Sequence, residues 1–180
     1  MVGINFEDNM TKISLDEVKK LREATSAGIA DCKKALSESG GDFEKAKDWL
    51  KQKGLSIANK KSGRVAAEGL VAVVTDGTKA SIIEVNAETD FVAKNQDFVD
   101  FVSKTADLSI DYSDLEQLKE AAFGNGNTVA AELLSLISKV QENMVLRKLV
   151  HMDANGDGKL YTYVHAKVND KAGRIAVIVH

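Results

Sequence analysis

The chain carries a single cysteine among its 180 residues, no apolar run longer than a few residues, and none of the residue sets that do chemistry. A lone Cys32 permits no internal disulfide, and its helical spacing from Ile29 and Leu36 predicts a thiol buried in a core. The short apolar runs exclude a membrane-spanning helix. Met1 to Lys12 has neither a basic-then-apolar leader nor an Arg-rich transit pattern, so a cytoplasmic protein is expected. His151, His165 and His180 form no ligand spacing with Cys32, and no Gly-x-Ser-x-Gly or Cys/His arrangement occurs. Asp153-Ala154-Asn155-Gly156-Asp157-Gly158 opens like a calcium loop, but Val164 stands where a bidentate Glu belongs and the segment after it reads as strand. Gly124-Asn125-Gly126 lacks the strand-glycine-helix context of a phosphate cradle. The expectation is a protein without metal or cofactor that is not an enzyme.

What is present points to a globular protein: 44% of residues are hydrophobic and 28% charged, enough for one sizeable core and a small extra domain. The net charge of −3 is unevenly spread. Residues 12–64 hold 13 Lys and Arg against 8 Asp and Glu, so the front is basic and the remainder acidic. A solvated helical face accounts for this, and so does attraction to nucleic acid or to an acidic protein surface.

Ser14 and Glu17 have capping-box spacing ahead of the apolar stripe Leu15, Val18, Leu21. A second helix is predicted over 28–39, with Ile29, Cys32, Ala35 and Leu36 inward and Gly40-Gly41 as its stop. Asp42 then caps a third, with Phe43, Ala46, Trp49 and Leu50 on one side and Gly54 at its end. Beyond a basic, glycine-containing linker with scope for partial helix, Leu70 to Val74 and Ala80 to Val85 flank Asp76-Gly77, a hairpin signal. Three helices come next: one on Phe98, Phe101 and Val102, one after Ser113, and one after Thr128. Strands over 144–152, 160–168 and 175–179 complete an α+β fold with an antiparallel sheet. The expected division is a three-helix N-terminal domain at 12–54, a linker at 55–68, a first α+β core half at 69–158, and a hairpin at 159–180.

That last hairpin repeats the pattern of the first, Leu160 to Val164 and Arg174 to Val179 echoing Leu70 to Val74 and Ser81 to Val85. The first runs into helices, whereas the second reaches His180. Either it begins a second half lacking its helical cover, or it is an ordinary hairpin completing a single sheet.

Between strand and helix, Thr89 stands at an N-cap position and Asp90 in the first turn, with Phe91 and Val92 next. One reading is a plain helix start with Phe91 in the core. The other is a carboxylate beside an aromatic ring, a pairing suited to prying at a partner.

Three stretches, Leu21 to Leu36, Glu84 to Lys94 and Glu142 to Lys148, resemble the elongation factor Ts family, whose members exchange nucleotide on bacterial elongation factor Tu. Ser26 stands where a glycine is usual, Ala87 where a cysteine or serine is commoner, and Lys148 where a second arginine is expected. The resemblance implies a ubiquitin-associated-like three-helix domain, a linker, and a core of two related α+β halves with a helical hairpin and a C-terminal module after them. It implies that this chain is a fragment lacking most of the second half, the helical hairpin and the C-terminal module. It further implies that Thr89, Asp90, Phe91 and Val92 enter the nucleotide domain of elongation factor Tu near its magnesium and phosphate site and favour GDP release. Lys19, Arg22, Ile29, Ala30 and Lys33 would meet the same domain, with Ile29 as plain core the alternative. Burying one Phe is worth roughly 1.5 to 3 kcal/mol, and a ten-thousand-fold faster release needs about 5.5 kcal/mol, so a wider surface must contribute. A contrasting reading makes the chain a nucleic-acid-associated binding module using Lys51, Lys53, Lys60, Lys61 and Arg64. No aromatic residue interleaves with them to provide a stacking platform.

Overall fold

The computed structural model describes residues 13–124, 126–156 and 158–180. The leader reading of Met1 to Lys12, the Lys12 start of the first domain, Asn125 and Asp157 lie outside the described residues.

Capping chemistry sets the front of the chain. The Ser14 hydroxyl accepts from the Glu17 N–H at 3.1 Å while the Glu17 carboxylate accepts from the Ser14 N–H at 2.8 Å, opening α1 (Leu15–Thr25). Ser26 closes it at φ +55°, a left-handed position that glycine adopts with less strain than serine. Next come α2 (Ile29–Glu38) and α3 (Phe43–Lys61), the latter capped by Asp42, which accepts from the Lys45 N–H at 3.0 Å. Their shared core is Val18, Leu21, Ala27, Cys32, Ala35, Leu36, Ala46 and Leu50. Cys32 is fully buried, and that burial pushes its thiol pKa up, so it packs as a small apolar side chain.

The first hairpin consists of β1 (Glu68–Thr75) and β2 (Lys79–Ala87), turned by Asp76, whose carboxylate accepts from the N–H groups of Thr78 and Lys79. A one-turn α4 (Asp90–Ala93) leads into α5 (Gln96–Ser109) and α6 (Leu115–Glu120). A small ladder of β3 (Ala122–Gly124) and β4 (Asn127–Thr128) precedes α7 (Val129–Val140) and the long β5 (Met144–Asp153). The chain ends in β6 (Tyr161–His165), β7 (Ala172–Gly173) and β8 (Ile175–Val179).

One antiparallel sheet runs in the order β5-β2-β1-β7, and its Leu70, Ala72, Ile83, Val85 and Ala87 face Phe98, Phe101, Val102 and Ile137 of α5 and α7. The alternate residues Val71 and Val73 point to the opposite face, where β6 and β8 pair as a separate two-stranded sheet. Directly opposed residues share a face in such a pair, so Tyr161, Tyr163, Ile175, Val177 and Val179 form one outward apolar surface, all of them exposed. The second hairpin therefore does not complete the first sheet; only the short β7 joins it. Among the described residues no helix is long and apolar enough to cross a membrane.

Three sequence expectations change. The third helix does not end at Gly54 but continues to Lys61, so much of the expected linker is helical. Ile57 and Ala58 pack against the sheet-and-helix core, and that burial outweighs the roughly 1 kcal/mol a mid-helix glycine costs. Ile29 is not inward: it is 58% exposed, because it sits in the first turn of α2 and Ala27 in the preceding loop fills the core there instead. Asp114, one residue after Ser113, caps α6 by accepting from the Gln117 N–H.

Candidate functional site

The exit of β2 builds the site. Thr89 is extended, and its hydroxyl accepts from the Val92 N–H at 3.5 Å, turning the chain into α4. Val92 and Ala93 are buried in the main core, while Phe91, on the opposite side of the turn, is 79% exposed. Of the two readings of Phe91, the one with its ring in the core is excluded. Asp90 beside it is about half exposed and accepts from the Lys94 ammonium at 2.7 Å. That hydrogen bond and charge hold its carboxyl below the usual carboxylate range, so it is an anion at neutral pH. Asn95 then caps α5 through its Oδ1, which accepts from the Asp97 N–H at 2.9 Å and stops α4 at one turn.

The turn is tied to a distant segment. The Glu142 carboxylate accepts from the Thr89 N–H at 3.2 Å and from its hydroxyl at 2.9 Å. Reciprocally, the Glu88 carboxylate accepts from the Asn143 N–H at 2.6 Å and faces the Arg64 guanidinium at 3.4 Å. Asn143 Nδ2 in turn donates to the Arg64 carbonyl oxygen at 2.8 Å. The Asn143 N–H and the Arg64 charge hold Glu88 below the ordinary glutamate value. Sequence reasoning assigns no role to Glu88, Glu142 or Asn143. The bonds between the two segments, Thr89 to Glu142 and Asn143 to Glu88, span more than fifty residues, and no local periodicity signals such a pair.

Lys19 and Arg22 on α1, and Ile29, Ala30 and Lys33 on α2, are all exposed. The two helices pack together in the same unit, so the five residues are available on its surface, away from Thr89 to Val92 in the chain. The three-helix unit is joined to the larger core where α3 crosses α7 and where the Ser135 hydroxyl donates to the Thr25 carbonyl oxygen at 2.7 Å. Of the basic residues considered for nucleic acid, Lys51, Lys60 and Arg64 are exposed and Lys53 and Lys61 half-buried, but Arg64 is engaged by Glu88. No group of three or more His, Cys, Asp or Glu that could hold a metal ion occurs among the described residues.

The family model for elongation factor TS matches residues 88–180, a little over half of the chain. The chain belongs to the elongation factor Ts family. Similar curated proteins include elongation factor Ts of Rhodospirillum centenum, 49% identical over 172 residues, and that of Rhodospirillum rubrum, 47% identical over 173. Each of these alignments covers 94% of this chain and 56% of the relative. Elongation factor Ts of Rickettsia bellii is 44% identical over 167 residues, covering 93% of this chain and 54% of the relative. The chain thus spans about half the length of the elongation factor Ts relatives it matches. The family match begins at Glu88, so it takes in the exposed turn and the Glu142-Asn143 segment that holds it.

Proposed function

We propose that the chain acts in the cytoplasm as a non-enzymatic guanine-nucleotide exchange factor, docking on elongation factor Tu with GDP and promoting GDP release through Asp90 and Phe91. One observation carries the reading: an aromatic ring stands in solvent, with a carboxylate next to it, on a turn whose other side is buried. Exposing Phe91 forgoes roughly 1.5 to 3 kcal/mol of burial, which a partner's apolar cleft recovers on docking. The Asp90 carboxylate then lies where it can disturb the water shell or hydrogen bonds of a bound magnesium ion, whose octahedral geometry tolerates little displacement. Thr89 and Val92 shape the turn from either side. Family membership supports the partner, since every relative named above is an elongation factor Ts.

The wedge alone supplies too little energy for a large acceleration, so a second surface is part of the proposal. Lys19, Arg22 and Lys33 around Ile29 and Ala30 offer an apolar centre with a basic rim, the pattern of a docking patch. Release of labelled GDP from elongation factor Tu, measured with the unmutated chain, Asp90→Ala and Phe91→Ala, tests the reading. Acceleration that both substitutions reduce supports it. No acceleration by the unmutated chain removes the exchange role, and equal acceleration in all three removes the role of the pair. Linkage adds a check: whatever factor the chain imposes on GDP affinity, GDP must impose on the chain's affinity.

A further inference from the structure

The turn that presents Phe91 has little to hold it by itself. Four residues of helix fall far short of the length at which a helix persists alone, and the cap bond from Val92 to Thr89 lies at the outer limit of hydrogen-bond distance. Burial of Val92 and Ala93 anchors one side. On the exposed side Asp90 is bridged to Lys94 across the turn, but a surface ion pair of this kind holds little, so the backbone carrying Asp90 and Phe91 relies on the Thr89 end being fixed.

Glu142 fixes it in two ways. Its carboxylate satisfies the Thr89 N–H, which no bond within the turn can reach. It also accepts the single proton of the Thr89 hydroxyl, leaving that oxygen's lone pairs to face the Val92 N–H. The orientation of the cap is therefore set by a residue 53 positions away. Glu88 and Asn143 make the reverse bond, so the two segments hold each other, and Arg64 joins both through its guanidinium and its carbonyl.

Resting on the exchange reading above, we infer that Glu142 is a positioning residue: through Thr89 it keeps the α4 turn formed, so that Asp90 and Phe91 are presented before the partner arrives. Preorganisation of this kind lowers the ordering cost of docking and acts on the step in which the wedge enters. It should leave the docking patch on α1 and α2 untouched.

Two measurements on the 180-residue chain test this together. The first is amide hydrogen exchange of the free chain and of Glu142→Ala. Faster exchange is expected at residues 89–94, with β1 and β2 protected as before. The second is GDP release from elongation factor Tu over a range of chain concentrations. Glu142→Ala is expected to lower the limiting rate by about ten- to a hundredfold, the scale of an ångström-level misplacement, with little change in the half-saturating concentration. Glu142→Gln, which keeps an oxygen acceptor for Thr89, should restore most of both signals. Unchanged protection at 89–94 would overturn the restraint, and lost protection with an unchanged limiting rate would overturn the positioning role. If the unmutated chain itself fails to speed release, the exchange reading falls and the positioning role falls with it, while amide exchange still decides the restraint.

Discussion

Gly54 of α3 lies against Leu134 of α7, so close that a Cβ added at 54 would sit 3.6 Å from the Leu134 carbonyl oxygen and 3.7 Å from its Cβ. The glycine marks where the three-helix unit meets the larger core. Both separations are ordinary van der Waals contact. Alanine therefore fits without displacing Leu134.

Gly54→Ala should stabilise the protein by about 0.5 to 1 kcal/mol, since a mid-helix glycine loses backbone entropy that alanine does not. Gly54→Leu should destabilise it and loosen the joint between α3 and α7. Urea unfolding reads both signs. A destabilising alanine would mean that the contact is tighter than the geometry indicates.

Gly69 tolerates no side chain. It sits at φ +132° in β1, and a Cβ there would fall 2.1 Å from the Val85 carbonyl oxygen of β2. Because the neighbour is backbone in a paired strand, Gly69→Ala should cost about 2 kcal/mol or more. Chemical unfolding would show it, and a cost below half of that would contradict the packing.

Phe91 and Val92 are adjacent but should respond oppositely. Phe91→Ala should change stability by less than about 0.5 kcal/mol, as expected for an exposed side chain, while reducing acceleration of GDP release. Val92→Ala should cost about 1 to 2 kcal/mol through lost burial and the cavity left behind. Equal unfolding losses in the two variants would mean that Phe91 is packed in solution.

Acid should weaken the clasp through Glu88. Its carboxyl titrates lower in the folded protein than in the unfolded chain, because the Asn143 N–H and Arg64 favour the anion. The folded state then binds fewer protons, so this contribution is complete above the ordinary glutamate value and drains away as pH falls through the lowered one. Urea midpoints measured from neutral pH to about pH 3 should fall less steeply in Glu88→Gln than in the unmutated chain. Parallel curves would exclude Glu88 as a source of the acid sensitivity.

The helices are legible where their determinants are local. Ser14 with Glu17, Asp42, Thr89 and Thr128 each cap within three residues, and the Asp76-Gly77 turn fixes the first hairpin. Gly54 misleads because a glycine that ends a helix and a glycine that admits a neighbouring helix look alike until the neighbour is known. Spacing from Cys32 places Ile29 inward, but the competing residue, Ala27, lies outside the helix and so outside the period.

The sequence alone determined the α+β class, the order of the longer elements, the buried cysteine and the family, because these rest on caps, turns and motifs confined to short stretches; the short β3, β4 and β7 were not among them. Tertiary structure decided that Phe91 faces solvent and that Glu142 holds its turn. The first follows from the packing of Val92 and Ala93 into the core, and the second from the antiparallel pairing of β2 with β5, which sets Ala87 opposite Met144 and so brings Glu88 and Thr89 beside Glu142 and Asn143. Contacts across more than fifty residues arise only once a sheet has fixed its register, and no pattern within either segment encodes the partner.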